Sequence, residues 1–202
     1  MQQDDSTIPT QKEGAKTDVV SSEKFETAEE AKSFFQECKQ RLLNINNWGI
    51  IAGVASADFK LTDKQGNEVQ RGVANIGDCF KIDIPGPGTA TGEGFDWVQI
   101  ESIDEESLED REEIAIRVRP ASNPKNTKTD VAHFFTDEAT SSFIVERRGT
   151  EVSAGVHGRN EKPNTKADAI LDKTRNVMIA SGAAAGFSEV QWKKLVNGLL
   201  GK

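Results

Sequence analysis

Between residues 54 and 157 a series of short segments alternates apolar and polar side chains, and that period of two commits this half of the chain to strands joined by loops. "ADFKLTDKQGNEVQRGV" (57–73) reads as a hairpin turning through Gln65-Gly66-Asn67. "DCFKIDI" follows as a strand, with Phe80, Ile82 and Ile84 alternating against Lys81 and Asp83. "FDWVQIESI" is the next, after a glycine-rich loop, and "IAIRVRP" turns Ile114, Ile116 and Val118 one way and Arg117 and Arg119 the other. "SSFIVERRGTEVSAGV" closes the series as a hairpin turning near Arg148-Gly149. Short or loop-like connections between such strands make the sheet mostly antiparallel.

The period changes to 3.6 at both ends. Thr27 and Glu30 form a capping box, and Ala31, Phe34, Phe35, Cys38, Leu42 and Ile45 give the helix behind it one apolar stripe. That helix should end near Asn46–Asn47, with Trp48 and Gly49 turning the chain. Near the C-terminus, Thr165 with Asp168 can cap a helix carrying Ile170, Leu171, Val177 and Met178. Ser188 with Gln191, stapled by Phe187 and Trp192, starts a last helix with Leu195, Val196, Leu199 and Leu200 on its apolar face. Residues 1–22 are polar and without period, so a disordered tail is expected ahead of a single domain over 23–202. The expected fold is α+β: a mostly antiparallel, curved sheet of six to seven strands with one N-terminal and two C-terminal helices.

The order of elements over 25–202, helix then antiparallel strands then a helical C-terminal segment, resembles the START-like (helix-grip) superfamily. The resemblance implies a curved sheet wrapped around the terminal helix with a cavity between them. It also implies a strand ahead of the first helix, for which the sequence pattern offers no counterpart.

A net charge of −8 argues against nucleic acid and anionic membrane as partners, since both reward Lys/Arg clusters. No apolar run approaches the roughly 20 residues that cross a bilayer, and "MQQDDSTIPTQKEGAKTD" lacks a secretory core, so a cytoplasmic location is expected. Cys38 and Cys79 read as buried, reduced thiols, and with two scattered histidines they offer no zinc spacing. Neither a metal nor a cofactor is expected. In "IPGPGTATGEGFDW" (84–97), Pro85 and Pro87 lack the N–H groups that a phosphate loop aims at its anion. That loop is either a simple strand connection or a flap over a pocket. "ESIDEESLEDREE" (101–113) lacks the order of a calcium loop and reads as a solvated acidic connector.

The final hairpin sorts its residues by face. Phe143 and Val145 stand with Val152, Ala154 and Val156; Ser142, Glu146, Glu151, Ser153 and His157 stand opposite. That second face is either solvated or the wall of a hydrated cavity, where His157 can act as acid, base or ligand contact. Arg117 and Arg119 offer forked donors to a carboxylate or phosphate, or pair with the nearby acids. His133, beside two phenylalanines, reads as a core-edge residue, and no nucleophile elbow surrounds Ser141 or Ser142. The candidate ligand-binding set is therefore His157, Ser142, Ser153, Arg117, Arg119 and Trp97. The expected function is binding of a small hydrophobic or amphipathic ligand between the sheet and the C-terminal helices. The alternatives are an interaction module without a pocket, or a hydrolase or lyase using a histidine base. Oligomeric state is not set by any of these patterns.

Overall fold

The chain forms seven strands: β1 (Ala15–Lys24), β2 (Asp58–Thr62), β3 (Cys79–Asp83), β4 (Asp96–Ser107), β5 (Arg111–Pro120), β6 (Thr140–Arg148) and β7 (Glu151–Glu161). They form one curved sheet in the order β1-β7-β6-β5-β4-β3-β2, with every neighbouring pair antiparallel. Helices α1 (Ala28–Leu43), α2 (Trp48–Ile51) and α3 (Ala185–Leu199) complete an α+β architecture. The computed structural model describes residues 7–53, 57–84, 89–126, 130–165, 176–177 and 185–202.

Helix α1 begins at the capping box: Thr27 Oγ1 accepts from the Glu30 N–H, and Glu30 Oε2 accepts from the Thr27 N–H. Its stripe buries Ala31, Phe35, Cys38 and Leu42. Trp48 lies at the centre of the core rather than at an exposed turn. Its ring meets Phe143 at 4.7 Å, Phe59 at 5.5 Å and Phe80 at 5.7 Å, and its Nε1–H donates to the Leu42 carbonyl at 3.0 Å. Leu195, Val196 and Leu199 of α3 close the core from the other side. Both cysteines are free and buried, and burial pushes each thiol up to about 11.

The structure corrects several expectations. Residues 15–22 are not a disordered tail: they form most of β1, the strand the resemblance implied and the pattern did not mark. Only Val19 of β1 is buried, because the strand lies at the sheet edge. Helix α3 covers that edge: Lys193 Nζ donates to the Val20 carbonyl and Lys202 Nζ to the Ser22 carbonyl. This satisfies acceptors that an open edge would leave exposed. The hairpin expected over 57–73 is abbreviated to β2 and one bridge, Thr62 to Glu68. The Asn46 side chain takes up the next partners, accepting from the Leu61 N–H and donating to the Val69 carbonyl.

The acidic stretch 101–113 is no connector; it forms the last seven residues of β4, the first three of β5 and the turn between them. Its carboxylates are placed beside cations, including Lys39, Arg111 and Arg147. Helix α3 already includes Ala185, so Ser188 lies inside it and not at its start. Residues 176–177 are helical; the rest of the helix expected over 165–182 lies outside the described residues, as does the Phe187 staple.

Candidate functional site

A cavity of about 450 Å³ lies between the core face of the sheet and α3. Phe59, Phe80, Val118 and Phe143 wall it from the sheet, and Trp192 and Leu195 from α3. Polar groups collect at one end: Thr17 on β1, Ser141 on β6, Glu161 on β7 and His133 in the loop after β5. His133 stacks on Phe134 at 4.2 Å. Its Nδ1 accepts from the Phe135 N–H at 3.0 Å, so the neutral ring carries its proton on Nε2.

Glu161 reaches this end through a break in strand periodicity. Thr17 pairs with Gly158 and Ala15 with Glu161, so β7 spends three steps where β1 spends two. The additional residue is a bulge, and Asn160 within it has φ +56°. Unbroken alternation would place Glu161 on the same face as His157; the bulge turns it to the cavity face, beside Thr17. The N-terminal segment clamps the bulge: Asn160 Oδ1 accepts from the Lys12 N–H at 2.7 Å, and the Asn160 N–H donates to Gln11 Oε1 at 2.9 Å. Thr17 Oγ1 donates to Glu161 Oε2 at 2.9 Å. The carboxyl also needs a glycine beneath it, since a Cβ at Gly158 would stand 2.1 Å from Glu161 Oε1. Burial raises the Glu161 pKa above the ordinary carboxylate value; the Thr17 hydrogen bond and the Arg159 charge pull the other way without cancelling it.

The residues singled out from sequence lie elsewhere. His157 stands on the outer face of the sheet, opposite Ser142 on one side and Asp18 on the other. Its Nδ1 lies 2.7 Å from Asp18 Oδ1, which also accepts from Arg159 Nη2 at 2.7 Å. Burial alone would raise the Asp18 carboxyl, but these hydrogen bonds and the Arg159 charge together hold it below its ordinary value. Ser142 is fully buried beneath the N-terminal segment and donates to the Thr7 carbonyl at 2.9 Å. Ser153 pairs across with Glu146 and Ser22 on the same outer face.

Arg117 and Arg119 share Glu101, and Arg119 also donates to the Asp137 carbonyl at 2.6 Å. Trp97 is buried in a small second cluster with Cys79, Ala132 and Phe95. The structure thus sets Ser142 and Asp18 on either side of His157, but none of the six candidates lines the cavity. The cavity occupies the apolar face of the last hairpin, where Phe143 and Ser141 point, and not the polar one. Of the glycine-rich loop, residues 85–88 lie outside the described residues. Its second half is a tight turn in which Thr89 Oγ1 accepts from the Gly92 N–H and donates to the Phe95 carbonyl.

No protein-family model matches the chain, and no curated protein does. Among solved structures, a hypothetical protein from Helicobacter pylori is similar at 12% identity with a TM-score of 0.49, covering 92% of this chain and 84% of that one. A major latex-like protein from Panax ginseng is similar at 11% identity with a TM-score of 0.39, covering 86% of this chain and 98% of that one. A protein from Mycobacterium smegmatis is similar at 12% identity with a TM-score of 0.37, covering 91% and 88%. No helix among the described residues is long and apolar enough to cross a membrane.

Proposed function

We propose that the protein binds a small hydrophobic or amphipathic molecule in the cavity between its sheet and α3. The observation that carries this reading is the cavity itself, about 450 Å³ walled largely by aromatic and aliphatic side chains. Protein interiors pack to the density of organic crystals and leave few voids larger than a water molecule. A volume of this size, with a few polar groups gathered at one end, has the make-up of a ligand pocket and not of a packing defect. The apolar walls supply affinity through burial, and Thr17, Ser141 and Glu161 supply orientation.

Titration with the apolar fluorophore N-phenyl-1-naphthylamine tests the proposal. Saturable one-to-one binding is expected in the full chain. Replacing Ser141 by Phe, which fills the cavity from β6, should abolish it while the fold persists by circular dichroism. Non-saturable binding, or binding unchanged by Ser141→Phe, would refute the pocket.

A further inference from the structure

We infer that the preferred ligand carries a basic nitrogen: an apolar body held by the cavity walls with a cationic amine set against Glu161. This rests on the pocket reading above and specifies its ligand class. Glu161 lines the cavity, half-buried, yet among the described residues no Lys, Arg or His forms an ion pair with it.

The cations nearby are committed elsewhere. Arg159 gives its guanidinium to Asp18 and to the Thr17 and Gly158 carbonyls. Lys162 is held by Glu13 and Glu138 at 2.5 and 2.8 Å. Lys16 lies 3.5 Å from Asp18. Thr17 spends its one proton on Glu161 Oε2, so the outer carboxylate oxygen retains acceptor capacity.

The other ionisable groups at the cavity do not offset this charge. From β1 come Lys16 and Asp18, from β7 Glu161, from α3 Glu189, and from the loop after β5 the His133 ring. Asp18 turns its carboxylate to the outer face, where Arg159 and Lys16 pair with it, so the charges left to the cavity are Glu161 and Glu189, and the polar end favours a cation over an anion. The bulge at Asn160 shows how the carboxyl comes to be there: without it, Glu161 would share the outer face with His157 and the polar end would lose this carboxylate. An ammonium group placed at Glu161 would form a charge-assisted hydrogen bond in a half-dry site and relieve the cost of an unpaired, partly buried carboxylate.

Calorimetric titration with three probes that share one apolar body tests the inference: 2-(2-naphthyl)ethylamine, 2-(2-naphthyl)ethanol and 2-naphthylacetate. At neutral pH the amine should bind about tenfold tighter than the alcohol, and the acetate more weakly than both. Glu161→Gln should remove the preference, bringing the amine's affinity down to that of the alcohol measured in the same variant. Equal affinities, preference for the acetate, or an amine preference that survives Glu161→Gln would overturn the inference while leaving the pocket standing. Binding of none of the three would overturn the pocket reading and the inference with it.

Discussion

Arg147 is the most deeply buried cation among the described residues, at 1% side-chain exposure, and its removal gives a sharp test of how the far end of the sheet is held. Its Nε donates to Glu112 Oε2 at 2.6 Å, Nη1 to the Gly149 carbonyl at 2.8 Å and Nη2 to the Glu109 carbonyl at 3.1 Å. One guanidinium therefore ties the β6–β7 turn to the β4–β5 turn. Arg147→Met keeps the bulk but leaves Glu112, 14% exposed, without its partner and two carbonyls without a donor. Breaking a buried pair from one side costs about 3–5 kcal/mol, because the remaining charge stays desolvated. For a domain of this size that lowers Tm by roughly 10–15 °C. The double variant Arg147→Met with Glu112→Leu replaces both charges by apolar groups and should recover much of the loss. Urea unfolding of the wild type, both single variants and the double variant yields the coupling energy. A loss below about 1 kcal/mol for Arg147→Met, or a double variant no better than the single ones, would show that the pair does not hold the two turns together.

Deleting residues 1–22 should lower Tm sharply, since it removes most of β1 and uncovers the β7 edge; a Tm unchanged from wild type in a thermal scan would show that β1 contributes nothing. Gly198→Ala places a Cβ 2.2 Å from the Ile51 carbonyl oxygen, so α2 and α3 must separate at a cost of about 1–3 kcal/mol by chemical denaturation, and an unaffected midpoint would contradict their close packing. Glu161 has a raised pKa in the fold, so ionising it costs stability that is lost as pH rises from the unfolded value through the folded one. The Tm difference, Glu161→Gln minus wild type, should therefore be more positive at pH 7 than at pH 4; a difference independent of pH would contradict the raised value.

The last hairpin was legible in the sequence because its strands alternate without interruption from Ser142 to His157 and Arg148-Gly149 marks the turn. Phe143 opposite Val156 and Val145 opposite Ala154 fell where the pattern placed them. The α1 capping box was equally legible, since Thr27 and Glu30 act locally. Strand β1 was not, because its pairing energy comes from β7 and its cover from Lys193 and Lys202 of α3, far along the chain. The six residues singled out from sequence do not line the cavity, for two physical reasons. Polar residues were weighted as site formers, whereas this cavity is walled by the core face that alternation had already identified. And a single inserted residue at the Asn160 bulge reverses the face of Glu161, a change that strict counting along β7 cannot register.

The central claim is that ligand enters the core face of the sheet and not the face carrying His157. Proton–nitrogen NMR of the full chain, titrated with 2-(2-naphthyl)ethanol, addresses it directly. The Trp192 indole N–H and the amides of Thr17, Ser141 and Leu195 should shift and saturate together, while the His157 ring and the Ser153 amide stay in place. Shifts centred on His157 and Ser153, or no saturable shift at Trp192, would contradict it.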